Sequence, residues 1–112
     1  MRRVCLVISC DKLRICQLSR RGDFFIGEFC RELPLGALDV CEGVVYNFSN
    51  LYRLIVNFLD EHRLHGVRAI VCCPYLASSM GLKRKFALFQ ISLCVSKTGL
   101  RIDKLLDEDL LS

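Results

Sequence analysis

The eight cysteines are the residues of this 112-residue chain whose type most readily suggests chemistry. No two have the C-x-x-C spacing that is typical of zinc knuckles and of thioredoxin-like redox sites. Buried free cysteine behaves as a small hydrophobic residue, so we predict reduced core thiols rather than a disulfide framework. The cysteines stand at 5, 10, 16, 30, 41, 72, 73 and 94, and five of them (Cys5, Cys16, Cys72, Cys73, Cys94) lie in apolar runs.

Cys72 and Cys73 are adjacent, and a vicinal dithiol can act as a redox pair. In a β-strand, successive side chains point to opposite faces of the sheet, so we expect these two thiols to lie apart. We also expect most of the eight cysteines to be free. Those in strands should react slowly with thiol reagents until the chain unfolds.

The histidines and carboxylates predict neither a metal site nor a catalytic pair. His62 and His65 are three residues apart and could share a metal on one helix face, but the helix is predicted to end between them and no third ligand is near. Asp60-Glu61 and the run 107–109 have the spacing of solvated helix faces. The sequence also lacks a G-x-S-x-G nucleophile motif and a glycine-rich phosphate loop. We therefore predict no catalytic residue, no metal and no cofactor.

The first third of the chain predicts an antiparallel meander of three short strands. Residues 12–18, KLRICQL, alternate polar and apolar side chains, as a half-buried strand does. Tight turns are expected at Cys10-Asp11 and at SRRG, where Gly22 can adopt positive φ. In the third strand, Phe25, Phe29 and Leu33 are expected to share one face. The three predicted strands are 3–9, 12–18 and 23–33.

A helix is predicted at about 48–63, because apolar residues recur there on one face. Asn47 is suited to cap its N-terminus and Gly66 to end it. The buried strand 67–73 follows and stops at Pro74, and the preceding helix allows it to run parallel to a neighbour. The stripe expected to be buried comprises Leu51, Leu54, Ile55, Phe58 and Leu59, with His62 one turn beyond.

The last third of the chain has weaker signals. Residues 75–86 predict a loop or surface crossover, and 87–96, ALFQISLCVS, predict one more strand. Within 100–112, Leu105, Leu106 and Leu110 have the spacing of a short helix. We assign residues 1–80 to a first subdomain and 81–112 to a partial second subdomain or a C-terminal extension.

Composition excludes several classes of protein. Hydrophobic residues make up 53% of the chain, which excludes a disordered protein. The net charge of +4 is scattered, with its densest cluster, KRK, at 83–85, so nucleic-acid binding is not expected. No run reaches the roughly 20 apolar residues of a membrane span, and the apolar segment before VISC is shorter than a secretory signal. A cytoplasmic location is expected.

Taken together, these elements predict an α+β fold, with the meander, one further strand and a helix packed on one face. The order of elements resembles the first subdomain of actin-like ATPases, an actin-like or ribonuclease-H-like half domain. The resemblance is greatest to the type IV pilus and competence assembly branch (PilM/HofM/ComA-like). It covers about residues 3–80, carried by LRICQLSRRGDFFIGEFCRELPLGALDVCEGVVYNFSNLYRLIVNFLDEHRL at 13–64 and VRAIVCCPYLASS at 67–79.

The departures from that family concern its nucleotide site. Active members carry Gly-x-Asp-x-Gly in the first strand, and these positions fall on Cys5, Val7 and Ser9 here. The metal-binding aspartate and both glycines are therefore missing, and the family's second phosphate hairpin lies further along than this sequence extends. The resemblance thus implies a non-catalytic, degenerate scaffold that binds no Mg·ATP.

The resemblance also implies a partner. Family members bind a short N-terminal peptide of a PilN-like inner-membrane protein, which would place this chain at the membrane only through that protein. The groove wall would involve Tyr75, Lys83, Arg84 and Lys85. Two alternatives stay open: a small α+β binding module unrelated to pili, and a nucleotide-binding or thiol-dependent enzyme.

Overall fold

Five strands of the described chain form the sheet at the centre of the molecule. The computed structural model describes residues 2–9, 11–36, 40–41, 44–45, 47–74 and 81–106. In chain order, its elements are β1 (Arg2–Ile8), β2 (Lys12–Arg21), β3 (Phe24–Pro34), β4 (Val40–Cys41), β5 (Val44–Val45), α1 (Phe48–His62), β6 (Arg68–Cys72), α2 (Gly81–Lys97) and β7 (Arg101–Leu106). The sheet order is β3-β2-β1-β6-β7, and β4 pairs with β5 in a separate small hairpin.

The predicted meander is confirmed. β1 and β2 pair antiparallel, with Leu6 opposite Ile15, and β2 pairs antiparallel with β3. β6 lies parallel to β1, because α1 carries the chain from one edge of the meander back across the sheet. β7 then pairs parallel to β6 on the far side. The Arg3 guanidinium joins β1 to β7 through an ion pair of 2.9 Å with Asp103.

A β-bulge in β3 alters which of its residues share a face. Ile15 lies opposite Arg31, but Gln17 lies opposite Glu28. Two residues of β3, Phe29 and Cys30, therefore lie opposite the one residue of β2 between Ile15 and Gln17, which is Cys16. Phe29 has a left-handed φ of 55°, which bends the strand there.

The common face expected for Phe25, Phe29 and Leu33 is therefore wrong for Phe25. The Phe29 ring stacks on His62 of α1, with ring centroids 4.9 Å apart, and Leu33 packs against the core beneath the helices. The Phe25 ring instead lies 5.2 Å from the guanidinium carbon of Arg3, on the opposite face. The extra residue of the bulge reverses the alternation between the two halves of β3.

The predicted helix α1 is confirmed in its position and its buried face. The Asn47 side chain accepts a hydrogen bond of 3.1 Å from the backbone N–H of Asn50, so it caps the helix as expected. The buried members of the stripe are Leu51, Ile55, Phe58 and Leu59, and Leu54 is half-buried.

The predicted glycine cap at the end of α1 is wrong by three residues. Arg63, with φ 54°, takes the left-handed position, and its N–H bonds to the carbonyl of Leu59. The N–H of Leu64 donates to the same carbonyl at 2.9 Å. Leu64 is fully buried, so the chain turns immediately after His62 to bring it into the core. Gly66, with φ 74°, lies in the next turn, ahead of β6.

The last third of the chain differs from the prediction. Residues 81–86 begin the helix α2 instead of a loop, and 87–96 continue it instead of forming a strand. Residues 101–106 form the strand β7 instead of a helix, because pairing with β6 outweighs a local leucine spacing. Leu110 lies outside the described residues.

Both helices pack on one face of the sheet and share one core. That core includes Val4, Leu6 and Leu13 from the meander, Phe58 from α1 and Ile91 from α2. Residues on both sides of the expected boundary at residue 80 contribute to this core, and the boundary itself stays a prediction. The opposite face of the sheet carries a smaller cluster, made of Cys5, Val7, Cys16, Leu18, Ile70 and Cys72. Among the described residues, no helix is long and apolar enough to cross a membrane.

Candidate functional site

The β1–β2 hairpin holds Cys5, Val7 and Ser9, the positions at which the resemblance led us to look for a phosphate motif. Cys5 and Val7 are fully buried, and the N–H of Ser9 donates to the carbonyl of Lys12 at 3.0 Å. The Lys12 ammonium lies 3.2 Å from the carboxylate of Glu32 on β3, so its charge is already paired. Asp11 is exposed, and its backbone carbonyl accepts a bond of 2.8 Å from Leu35. This hairpin offers an anion no cluster of glycine backbone amides.

The two histidines have separate structural roles. His62 lies between the rings of Phe29 and Phe58, at centroid distances of 4.9 and 4.5 Å. The His65 imidazole lies 2.6 Å from the carboxylate of Asp60 at the exposed end of α1. Within the part of the chain that the structure describes, no three or more His, Cys, Asp or Glu residues are placed to hold a metal.

The four predicted partner-binding residues are only partly described. Tyr75 lies outside the described residues. Lys83, Arg84 and Lys85 lie in the first turns of α2. Lys85 is exposed and Arg84 is half-buried. The structure therefore places three of the four on one helix.

The side of α2 that faces away from the core is also apolar. Leu82, Phe86, Phe89 and Leu93 recur at i, i+4, i+7 and i+11, and at about 100° per residue they form one narrow stripe. They are 83%, 54%, 64% and 41% exposed. The residues that bury α2 against the sheet lie on its other side and comprise Ala87, Ile91, Cys94 and Val95. Sequence reasoning missed this second stripe, although its helical spacing was present.

The exposed stripe continues into a groove between α1 and α2. Leu93 belongs to the stripe and also lines the groove. Tyr52 of α1, which is 41% exposed, lines the same groove. The groove has a volume of about 670 Å³ and is also lined by Phe48, Ser49, Cys94 and Lys97. We name the five exposed side chains the α2 surface: Leu82, Phe86, Phe89, Leu93 and Tyr52.

The Cys94 thiol forms part of the groove wall and stays neutral. Burial raises the pKa of Cys94 to about 11, although the ammonium of Lys97 opposes the shift. At neutral pH the thiol is therefore protonated and behaves as an apolar group. The groove wall and the exposed stripe consequently present one continuous apolar surface.

Positive charge lies at both ends of the α2 surface. α2 contains four basic residues, Lys83, Arg84, Lys85 and Lys97, and no acidic one. Lys97 lies in the last turn, where the helix dipole favours a cation, but the other three lie near the N-terminus, where the dipole disfavours one. The basic cluster therefore does not stabilise the helix by that route. Its exposed member Lys85, together with the exposed Lys97, places positive charge near both ends of the α2 surface.

Solved structures share this fold at low sequence identity, among them two phosphatases and a RuvC protein, whereas no family model and no curated protein matches the chain. An exopolyphosphatase from Cytophaga hutchinsonii is 11% identical, with a TM-score of 0.54 over 95% of this chain and 34% of that one. The type II variant of the Aquifex aeolicus Ppx/GppA phosphatase is 15% identical, with a TM-score of 0.55 over 96% of this chain and 36% of that one. Thermus thermophilus RuvC is 9% identical, with a TM-score of 0.56 over 95% and 62%.

The chain thus spans about a third of the length of the two phosphatases and less than two thirds of RuvC. At these identities the likeness shows the fold alone. The five-stranded sheet with its two helices has the actin-like, ribonuclease-H-like half-domain fold.

Proposed function

We propose that this chain is a non-catalytic interaction module whose α2 surface binds an acidic, amphipathic helical segment of a partner protein. The observation that carries the proposal is the exposed stripe of Leu82, Phe86, Phe89 and Leu93, on a helix whose opposite side is already buried in the core. Contiguous apolar patches on a protein surface mark interaction sites more often than scattered apolar residues do. A helix in a groove between two helices is a common mode of peptide recognition.

The energy available from the α2 surface fits a binding site of moderate affinity. Fully burying a side chain such as Phe86 or Phe89 contributes about 1.5–3 kcal/mol. Association costs roughly 4–15 kcal/mol, because the two molecules lose translational and rotational freedom, so the stripe alone binds weakly. Tyr52 and the groove add further apolar area, and opposite charge on the partner supplies the remainder. We expect a dissociation constant in the micromolar range, near −8 kcal/mol.

The positive charge of α2 favours an acidic partner. Lys85 and Lys97 are exposed near opposite ends of the stripe. A second copy of this chain packed antiparallel on α2 would bring Lys97 of one copy towards the basic cluster of the other, which is unfavourable. An acidic segment meets complementary charge in either direction.

The finer hypothesis concerns type IV pilus or competence machinery. If the resemblance to PilM-like proteins extends to function, the chain is a cytoplasmic scaffold and its partner is the N-terminal peptide of a PilN-like inner-membrane protein. The location of Lys83, Arg84 and Lys85 on the helix that carries the α2 surface supports a peptide site there. A binding module unrelated to pili would use the same surface.

A nucleotide- or phosphate-dependent enzyme is the second candidate, favoured only by the fold shared with phosphatases. The residues at the hairpin argue against it. Val7 occupies the position of the family's metal-binding aspartate, and Lys12 is paired with Glu32. We expect no ATP hydrolysis and no Mg·ATP binding tighter than about 1 mM. Micromolar Mg·ATP affinity in a calorimetric titration, lost in Asp11→Ala, would contradict the non-catalytic assignment.

The charge requirement is tested with two designed peptides of about four helical turns. Both carry leucines along one face. The first has glutamates at the other positions and the second has lysines. We expect fluorescence anisotropy to show saturable binding of the acidic peptide, weakened by salt and by Lys85→Glu, and little binding of the basic one. Equal binding of both peptides, or none of either, would reject the proposed partner chemistry. A PilN-like N-terminal peptide tested in the same way separates the finer hypothesis from the general one.

A further inference from the structure

Four cysteines form a row across four adjacent strands on the sheet face opposite the helices. From the edge inward they are Cys30 on β3, Cys16 on β2, Cys5 on β1 and Cys72 on β6. Cys5 lies directly opposite Cys16 in the antiparallel register. Cys16 and Cys72 raise the pKa of the Cys5 thiol through side-chain hydrogen bonding, and Cys5 and Cys30 lower that of Cys16 in the same way. Each thiol of the row therefore interacts with the thiol on the next strand.

The outer end of the row is the accessible end. Cys5, Cys16 and Cys72 are fully buried, whereas Cys30 is exposed. Cys30 lies on β3, which among the described strands pairs with β2 alone and whose side chains are almost all exposed. A small solute therefore reaches the row first at Cys30, so the buried Cys16 beside it is the strand cysteine that we expect to depart from the slow reaction of the others.

Two features of β3 hold Cys30 against Cys16. The bulge places Phe29 and Cys30 opposite Cys16, and the left-handed φ of Phe29 is a conformation that costs free energy in a non-glycine residue. A Cβ on Gly27 would lie 3.3 Å from the Cys30 sulfur and 3.4 Å from the Cys16 sulfur. Gly27 has no positive φ that would require glycine, so what the glycine provides there is room for the two sulfur atoms.

The two thiols differ in protonation. The hydrogen bond from Cys5, and to a smaller extent that from Cys30, lowers the pKa of Cys16 to about 7 against the opposing effect of burial. Burial and the hydrogen bond with Cys16 raise the pKa of Cys30 to about 11. Near neutral pH, Cys16 is thus partly a thiolate and Cys30 is a neutral thiol beside it. The thiolate is the reactive form of cysteine.

The geometry points to a redox-modification site: hydrogen peroxide oxidises Cys16 and Cys30 to a disulfide that joins β2 to the edge strand β3. In the first step, the Cys16 sulfur attacks one peroxide oxygen, the O–O bond breaks, and hydroxide leaves. The product is a sulfenic acid at Cys16. In the second step, the Cys30 sulfur attacks the Cys16 sulfur, the S–O bond breaks, and its oxygen leaves as water. Two thiols lose two electrons and two protons, and one peroxide becomes two waters.

The modification is reversible by thiol–disulfide exchange, so a reducing compartment returns the protein to the dithiol form. It does not depend on the α2 surface, which lies with the helices on the opposite face of the sheet. The cysteine row therefore adds a second property to the proposed interaction module.

The test uses peroxide treatment of the full chain at neutral pH. Remaining thiols are blocked with N-ethylmaleimide under denaturing conditions, and the protein is digested with trypsin without reduction. Cleavage after Arg14, Arg20, Arg21 and Arg31 isolates Cys16 in peptide 15–20 and Cys30 in peptide 22–31, with one cysteine in each. We expect the dominant product to be these two peptides linked, lighter by two hydrogen atoms than their sum.

Variants identify the role of each sulfur. Cys30→Ser changes an exposed residue, so the chain should still fold. It should abolish the link and leave a sulfenic acid on peptide 15–20, which dimedone captures. The matched control Cys72→Ser, at the far end of the row, should retain the Cys16–Cys30 link. Two results would overturn the inference: a link from Cys16 to Cys5 with Cys30 still free, or a folded protein that resists peroxide doses that oxidise the same chain in denaturant.

Discussion

The two helices pack on the same face of one sheet, yet they differ on the sides that face away from it. α1 buries Ile55 and Phe58 and exposes mostly polar residues such as Arg53 and Asn57. α2 buries Ile91 and its neighbours and exposes a second apolar stripe that includes Phe89. A helix needs only one apolar stripe to hold it against a sheet. The difference shows that the apolar stripe of α1 is buried within the fold and leaves Tyr52 as its exposed aromatic residue, whereas α2 has a second apolar stripe that the described fold does not bury.

The strongest test of the α1 half of this comparison is Phe58→Ala. Phe58 is 2% exposed and contacts the ring of His62 within the core. Removing a buried phenyl ring leaves a cavity, so we expect the free energy of unfolding to fall by about 3–5 kcal/mol. Urea denaturation followed by circular dichroism measures the change. A loss below about 1 kcal/mol would show that α1 does not hold the core as described.

The buried side of α1 was also the part of the molecule that its sequence predicted best. Leu51, Ile55, Phe58 and Leu59 recur with the helical period, and the polar residues Arg53 and Asn57 interrupt the apolar sequence, so the pattern predicts a helix. In α2, every residue from 86 to 95 except Gln90 and Ser92 is apolar. A nearly continuous apolar run shows no helical spacing of apolar and polar residues, which is why a strand was predicted there.

Of the α2 surface, only the positive charge could be predicted from the sequence. The basic cluster at 83–85 is visible in the sequence, but whether Phe89 faces the core or solvent depends on how α2 lies on the sheet. The bulge that brings Cys30 beside Cys16 was likewise unpredictable, because it depends on the register between β2 and β3. The opposite orientation of Cys72 and Cys73 was predictable, since it follows from strand geometry: the two belong to the two different clusters.

A pair of substitutions in α2 compares its two sides directly. Ile91 is fully buried, so Ile91→Ala should lower the free energy of unfolding by about 2–5 kcal/mol. Phe89 is 64% exposed, so Phe89→Ala should change it by no more than about 0.5 kcal/mol. Both changes are measured by the same denaturation experiment. Comparable losses at the two positions would mean that the exposed stripe is packed within the folded chain.

The pH dependence of stability sharpens the account of the buried side of α2. The raised pKa of Cys94, about 11 against 9 in the unfolded chain, means that the folded state retains a proton that the unfolded state loses. The stabilisation is fully present below about pH 9 and is lost as pH rises through 11, amounting to roughly 2–3 kcal/mol. Cys94→Ala should flatten this decline relative to the wild type in denaturation curves between these pH values. An unchanged slope would place Cys94 in contact with water.

Peptide binding to two variants with equally exposed phenylalanines tests the central claim most directly. Phe89 on α2 and Phe24 on β3 are 64% and 63% exposed, so their replacement by alanine removes similar accessible apolar side chains. In fluorescence anisotropy with the acidic leucine-faced peptide, Phe89→Ala should weaken binding at least about tenfold, or roughly 1.4 kcal/mol, and Phe24→Ala should leave it unchanged. Equal weakening by both variants, or by neither, would contradict the assignment of the α2 surface as the binding site.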